Sequence, residues 1–221
     1  MKVGPILNTL STSVLLTCAV IVTYLFLRRE LLPVAWKAVP GYLDNWRTLL
    51  AYGHVVGDTS ARVNIIEFSD YECPYCRTME PVLGRILKKY RGQVNLVRYD
   101  LPLPTHQNAL EAAFAAECAS HQERYNQYHS LLFEFPRLVK AREWVRLAGM
   151  AGVSDTARFH LCLDSDEASN RIERRIEIAK QFEIPGTPTF VVNGYVQVGA
   201  VEERQLEEMI ERSLSGGRNK R

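Results

Sequence analysis

Residues 63–90 read VNIIEFSDYECPYCRTMEPVLGRILKKY, and the order of residue types in this stretch decides the fold. Val63 to Phe68 is rich in β-branched residues and predicts a strand. Cys76 to Tyr90 predicts a helix carrying Pro81 and Gly84, with the proline kinking its first turns. Between them, Cys73-Pro74-Tyr75-Cys76 falls at a strand-to-helix junction. Pro74 suits the opening position of a helix and places Cys73 near the N-cap. Free N–H groups and the positive end of the helix dipole stabilise a thiolate there and lower its pKa. Residues three apart share a helix face, so the two sulfurs can meet in a small reversible disulfide. The pattern points to redox chemistry, with Cys73 as an exposed nucleophile and Cys76 as the resolving partner one turn deeper. The alternatives are half of a zinc site, or two unreactive thiols. A structural zinc site needs a second Cys or His pair at matching spacing, and the sequence holds no second C-x-x-C and no closely spaced His pair.

Working outward, Val94 to Asp100 predicts a second strand, ended by Pro102 and Pro104. Residues 106–182 read as helical almost throughout, with ALEAAFAAECA (109–119) and ERYNQYHSLLFEF (123–135) as the clearest segments. Thr189 to Val192 and Tyr195 to Val198 predict two strands joined by Asn193-Gly194, a strong hairpin signal. Glu202 to Leu214 predicts a closing amphipathic helix. The order is β-α-β, a helical block, then β-β-α. A βαβ unit and a hairpin then share one mixed sheet, covered by helices.

The amino-terminal end is of another kind. No charge falls between Lys2 and Arg28, and Pro5 to Leu27 is largely apolar. This predicts a transmembrane anchor over residues 1–27. The alternatives are a cleaved secretory signal, for which Arg28-Arg29-Glu30 makes a poor cleavage site, and a buried core helix. Cys18 lies within this run. Residues 28–55 form a connector broken by Pro33, Pro40 and Gly41, with Trp46 and Leu49 expected to pack on the globular part. Residues 215–221 read as a flexible basic tail. The Lys/Arg balance of the two flanks slightly favours a cytoplasmic carboxyl-terminal domain. Of the 221 residues 47% are apolar or aromatic and 24% charged, which excludes a disordered chain; a net charge of +2 argues against a nucleic-acid binder.

FSDYECPYCRTMEP (68–81), the helical block and IPGTPTFVVNG (184–194) together resemble the DsbA-like thiol:disulfide oxidoreductases of the thioredoxin superfamily. The resemblance implies an α/β thioredoxin fold made by residues 56–105 and 183–214, with an all-helical domain inserted at 106–182. It implies that Thr187-Pro188 is a cis-proline loop facing the C-x-x-C, where the Thr187 backbone meets an extended client chain strand to strand. Pro74 and Tyr75 belong to the same client-facing surface. Glu67, six residues before Cys73, falls where the family often has a buried acid. Burial raises such a group's pKa and lets it exchange a proton with Cys76; the plainer role is to pair with Arg98 on the neighbouring strand. Tyr75 departs from the family's commoner histidine, so the resemblance implies a less depressed Cys73 pKa and a less oxidising potential. Cys118 and Cys162 both fall in the helical block. They form either a second disulfide, as in some relatives, or two buried free thiols.

Among the remaining residues, His106 serves either substrate binding or helix capping and packing. His54, His121, His129 and His160 lack ligand-like spacing. RIERRIEIAK (171–180) reads as a solvated helix face. The expected protein is a disulfide oxidoreductase of a bacterial inner membrane that forms disulfides in client proteins. Disulfide formation needs an oxidising compartment, so the catalytic domain is expected outside the cytoplasm, against the flank charges. No cofactor beyond the Cys73–Cys76 disulfide and no metal is expected. The family implies a membrane redox partner, either a quinone-linked oxidase or an electron donor. The alternatives are a reductase or isomerase, and a tethered peptide-binding or chaperone module whose C-x-x-C is only structural.

Overall fold

The computed structural model describes residues 15, 17–24 and 41–216 and divides into two units, residues 1–39 and 40–221. In the first unit residues 17–24 are helical. Among the described residues no helix is long and apolar enough to cross a membrane. Most of the anchor expected over 1–27, residues 28–40 of the connector and the tail from 217 onward lie outside the described residues.

The second unit is built on a five-stranded mixed sheet: β1 (His54–Gly57), β2 (Val63–Ser69), β3 (Val94–Asp100), β4 (Thr189–Val192) and β5 (Tyr195–Val198), ordered β1-β3-β2-β4-β5. β2 and β3 run parallel, with Glu67 opposite Arg98, as strands joined by a helical crossover do. β4 lies antiparallel to β2, and β5 to β4. β1 is absent from the strands the sequence predicts. It has four residues with alternating half-buried and exposed positions, too few for a period to declare itself, and its antiparallel pairing with β3 creates it.

Helix α1 (Pro74–Lys89) starts at Pro74, two residues before its predicted start. The helical block holds α2 (Ala109–Ser120), α3 (Tyr125–Glu134), α4 (Pro136–Lys140), α5 (Trp144–Met150), α6 (Thr156–Leu163) and α7 (Asp166–Gln181); α8 (Glu203–Leu214) closes the described chain. The alternation of strand side chains sorts two layers. Val63, Ile65, Val94 and Leu96 bury against Met79, Leu83 and Ile86 of α1 and Leu206 and Ile210 of α8. Ile66, Phe68, Val97 and Tyr99 bury on the other face against Leu43, Trp46, Leu49 and Ile178. Trp46 and Leu49 therefore pack on the globular part as expected. By the same period of two, Glu67 continues the Val63–Ile65 row and Arg98 and Asp100 continue the Val94–Leu96 row, all on the α1 side of the sheet.

Two local details fix the frame. The β4–β5 turn places Asn193 at φ 46° and Gly194 at φ 97°, the pair of left-handed residues that a tight hairpin turn requires. A Cβ on Gly194 would stand 2.6 Å from the Tyr42 ring and 2.7 Å from the Trp46 ring. In α2 the run of alanines is buried nearly all round, so small side chains let neighbouring helices approach. One expectation is corrected: the 171–180 run is not solvated throughout. Arg175 is 5% exposed; its Nη1 lies 2.7 Å from Glu117 Oε2 and its Nε donates to the Tyr52 carbonyl at 2.9 Å. A buried carboxylate from a different helix draws it inward, and no local pattern records that.

Candidate active site

Cys73 is the N-cap of α1 (φ −72°, ψ 118°), with Pro74 at the first helical position. Asp70 shapes the approach to it. Its Oδ1 accepts the Glu72 N–H at 2.7 Å, and its backbone carbonyl accepts the Cys73 N–H at 3.1 Å. Its Oδ2 accepts the Leu103 N–H at 2.7 Å and lies 2.9 Å from His106 Nδ1. Glu72 reaches across to the start of α2, accepting the Asn108 backbone N–H at 2.6 Å and its side-chain amide at 3.1 Å. The loop carrying the cysteines is thus clamped to the connection between β3 and α2, and His106 belongs to that clamp. Asp70 and Glu72 escape the sequence reading; the available signal is an aspartate two residues before a chain reversal, where it bonds its own backbone.

The Thr187–Pro188 peptide bond is cis. The Thr187 carbonyl faces the site and accepts from Cys73 Sγ at 3.5 Å. Thr187 Oγ1 is buried with no hydrogen-bond partner among the described residues. Tyr75 is 65% exposed and Cys73 only 4%. The exposed members of the motif are therefore Pro74 and Tyr75, not the nucleophile, because the cis-proline loop covers the sulfur. Beside that loop, Leu101 to Pro104, His106, Leu110 and Ile184 to Gly186 line much of a cavity of about 520 Å³.

Both cysteines are thiols here, and their environments drive them apart. The hydrogen bond from the Cys76 thiol, helped by the backbone N–H groups of Cys76 and Tyr75 and opposed by burial, lowers the Cys73 pKa to about 5. Burial, and then the bond to Cys73, pushes the Cys76 thiol far above its ordinary value. One sulfur is a ready thiolate at neutral pH and the other holds its proton.

Behind this pair lies a buried polar network. Glu67 is wholly buried, and neither carboxyl oxygen has a hydrogen-bond partner among the described residues, Cys76 included. Arg98 Nε stands 3.3 Å from it, so the pairing across the strands is present. Burial raises Glu67 to about 8, with Arg98 opposing. Arg98 Nη2 donates to Glu80 Oε1 at 2.8 Å. Glu80 sits one turn beyond Cys76 on the same face of α1. His129 Nε2, from α3, lies 2.8 Å from that same Glu80 oxygen. Burial would raise Glu80, but His129 and Arg98 outweigh it and lower it to about 2. Donor atoms of Glu67, Glu80 and His129 fall within 4.8 Å of one another; the Arg98 guanidinium, in contact with both carboxyls, already serves as their cation. His129 and Glu80 are absent from the sequence-derived site because they sit on separate helices.

Cys118 and Cys162 are joined in a disulfide, S–S 2.01 Å, which links α2 to α6.

The thioredoxin family model matches residues 50–212. Among solved structures, a thioredoxin-like oxidoreductase from Silicibacter pomeroyi superposes with TM-score 0.67 at 26% identity, covering 77% of this chain and 99% of that one. The catalytic domain of Proteus mirabilis ScsC gives 0.67 at 22% identity, over 77% and 95% of the two chains. Oxidised BdbD from Bacillus subtilis gives 0.66 at 23%, over 76% and 95%; these last two likenesses are of fold. Among curated proteins, the chain is 35% identical over 142 residues to the Na(+)/H(+) antiporter NhaA 3 of Salinispora tropica, covering 64% of this chain and 22% of that protein. It is 31% identical over 166 residues to NhaA 1 of Salinispora arenicola, covering 75% and 25%. The chain spans about a quarter of the length of the curated relatives it matches.

Proposed function

This chain belongs to the thioredoxin family, and from that premise we propose that it is a DsbA-like thiol-disulfide oxidoreductase working as an oxidase, forming disulfides in client proteins. A client thiolate attacks Cys73 Sγ of the Cys73–Cys76 disulfide, and the sulfur–sulfur bond breaks with Cys76 leaving. A mixed disulfide between client and Cys73 results. A second client thiol then resolves it, releasing oxidised client and the reduced pair. The observation that carries the direction is the place of Cys73 at the helix N-cap, where hydrogen bonds from the Cys76 thiol and the neighbouring backbone lower its pKa to about 5. A stabilised thiolate stabilises the reduced enzyme, and that makes the disulfide a stronger oxidant. The cis-proline loop, with the Thr187 carbonyl beside Cys73, offers an edge for the client backbone, and Pro74 and Tyr75 flank it.

We place the catalytic domain outside the cytoplasm of a bacterium, tethered to the inner membrane through the apolar run at residues 5–27. The oxidising compartment that the chemistry requires supports this. So does the match to about a quarter of the length of proteins named Na(+)/H(+) antiporters. Reoxidation of the Cys73–Cys76 pair falls to a membrane redox partner.

Tyr75 favours a second reading, a reductase or isomerase, because a phenol adds no positive charge beside the thiolate. The reduction potential separates the oxidase from the reductase. Full chain equilibrated in glutathione buffers, with Cys73 and Cys76 alkylation counted by mass spectrometry, should give about −120 to −180 mV, the range of oxidants and isomerases. A value near about −270 mV, where thioredoxin sits, transfers the assignment to a reductase.

A further inference from the structure

The buried network contains more contacts than it has ordinary hydrogens to fill. Four close pairs run in series: Glu80 Oε1 to His129 Nε2 at 2.8 Å, His129 Nδ1 to Tyr71 Oη at 2.9 Å, Tyr71 Oη to Asp100 Oδ1 at 2.7 Å, and Tyr125 Oη to the same Asp100 oxygen at 3.0 Å. Each close pair of electronegative atoms needs one hydrogen between them. The two phenols and a neutral imidazole supply three, since burial and Asp100 hold both tyrosines well above their ordinary pKa. With both carboxyls ionised, a fourth hydrogen is missing. An imidazolium supplies it: Nε2–H donates to Glu80, Nδ1–H to Tyr71, and both phenols to Asp100.

His129 is faced by Glu80 from α1, Glu67 from β2, Arg98 and Asp100 from β3, Tyr71 from the loop before α1 and Tyr125 from its own helix. Arg98 contacts both Glu67 and Glu80, and Arg175 lies 3.6 Å from Asp100 and 2.7 Å from Glu117.

We propose that the His129–Glu80 pair is the proton store of this site: it holds one exchangeable proton and passes it to Glu67 as Glu67 protonates the departing Cys76 sulfur. His129 is a positioning residue, acting through Glu67. The inference rests on the disulfide-exchange reading above. When the client thiolate bonds to Cys73 Sγ, the Cys73–Cys76 bond breaks and its electron pair stays on Cys76. A thiol with a strongly raised pKa is a poor leaving group unless it is protonated as it leaves. The Glu67 carboxyl gives that proton, and the carboxylate left behind takes one from His129. The separation of at most 4.8 Å between their donor atoms is close to the span of one bridging water with two hydrogen bonds, about 4.6 Å. Burial and Arg98 lower the pKa of His129, against Glu80 and Asp100, which raise it, whereas Glu67 is raised to about 8, so the proton passes from His129 to Glu67 and the store is filled at the acid end of the pH range.

The test is the rate at which oxidised full chain is reduced by a dithiol peptide between pH 5.5 and 8.5, with unaltered protein set against His129→Asn. Asparagine keeps a hydrogen bond but cannot store a proton. The ratio of the two rates should be about tenfold at pH 5.5, less than the roughly hundredfold of direct general acid assistance because His129 acts through Glu67, and fall towards one as the pair loses its proton. A ratio constant with pH, or of one throughout, overturns the proposal, since a purely structural His129 gives the first and an idle one the second. Nitrogen-15 spectra of histidine-labelled unaltered protein test it without a mutant: both ring nitrogens of His129 should carry hydrogen at pH 5.5, and a ring neutral throughout overturns it. Cys73→Ser separates this from the underlying reading. Exchange that survives that change removes the oxidoreductase assignment itself, whatever His129 does.

Discussion

At the scale of single residues, the site works by giving two chemically identical side chains opposite environments. Cys73 sits at a helix N-cap and receives hydrogen bonds; Cys76, three residues on, is walled off. An alkylation or thiolate-absorbance titration of the reduced protein should show one thiol with a midpoint near about 5, absent in Cys73→Ser, while Cys76 stays protonated through neutral pH. Replacing Tyr75 with His adds a partial positive charge beside Cys73 at an exposed position. The reduction potential should rise by about 15–30 mV, half to one full tenfold step in equilibrium constant for a two-electron couple. Glu67 predicts the opposite pH signature to an ordinary carboxylate. Its pKa is near 4.5 unfolded and about 8 folded, so the unfolded state releases its proton first. The stability it contributes is full below about pH 4.5 and is lost as pH rises through 8. Thermal melting of the wild type should therefore fall between pH 5 and 8 relative to Glu67→Gln, by no more than a few kcal/mol of stability.

At the scale of elements, the two halves of the molecule are secured by different means. The sheet layers rest on alternating apolar side chains packed by α1 and α8. The helical block rests on an alanine-rich α2 and on the Cys118–Cys162 bridge to α6. Alanines bring helices close but bury little area each, so a covalent link has more to contribute there. Replacing both cysteines with Ala should cost about 3–4 kcal/mol by the chain-entropy estimate for a loop of this length. That lowers the melting temperature by roughly 6–16 °C for a domain of this size and leaves the Cys73–Cys76 potential unchanged. The β4–β5 hairpin is the other sensitive point. Gly194→Ala demands a left-handed alanine and drives its Cβ into the Tyr42 and Trp46 rings. A loss of about 1–3 kcal/mol in denaturant unfolding is expected.

At the scale of the whole molecule, insertion of the helical block between the two parts of the sheet brings together groups far apart in the chain. Tyr71, Glu80, Asp100, Tyr125 and His129 converge behind the active cysteines from a loop, two helices and a strand. The place of Thr187-Pro188 facing the cysteines came through the family resemblance alone. The element order, the strand–C-x-x-C–helix junction and the hairpin at Asn193-Gly194 were legible in the sequence. Each is a local signal, set by a period, a cap or a turn residue within a few positions. What the sequence could not show is of another kind. β1 exists because β3 is there to pair with it. Arg175 is buried because Glu117 waits for it on another helix. Cys73 is covered because a loop more than a hundred residues later folds over it. His129 carries no spacing that marks it as part of the site, and it joins Glu80 only once α3 is docked on α1. Local propensity and capping are short-range effects and are written into neighbouring residues. The pairing of buried charges is decided by three-dimensional proximity, because a carboxylate removed from water takes whichever partner the packed core brings within reach.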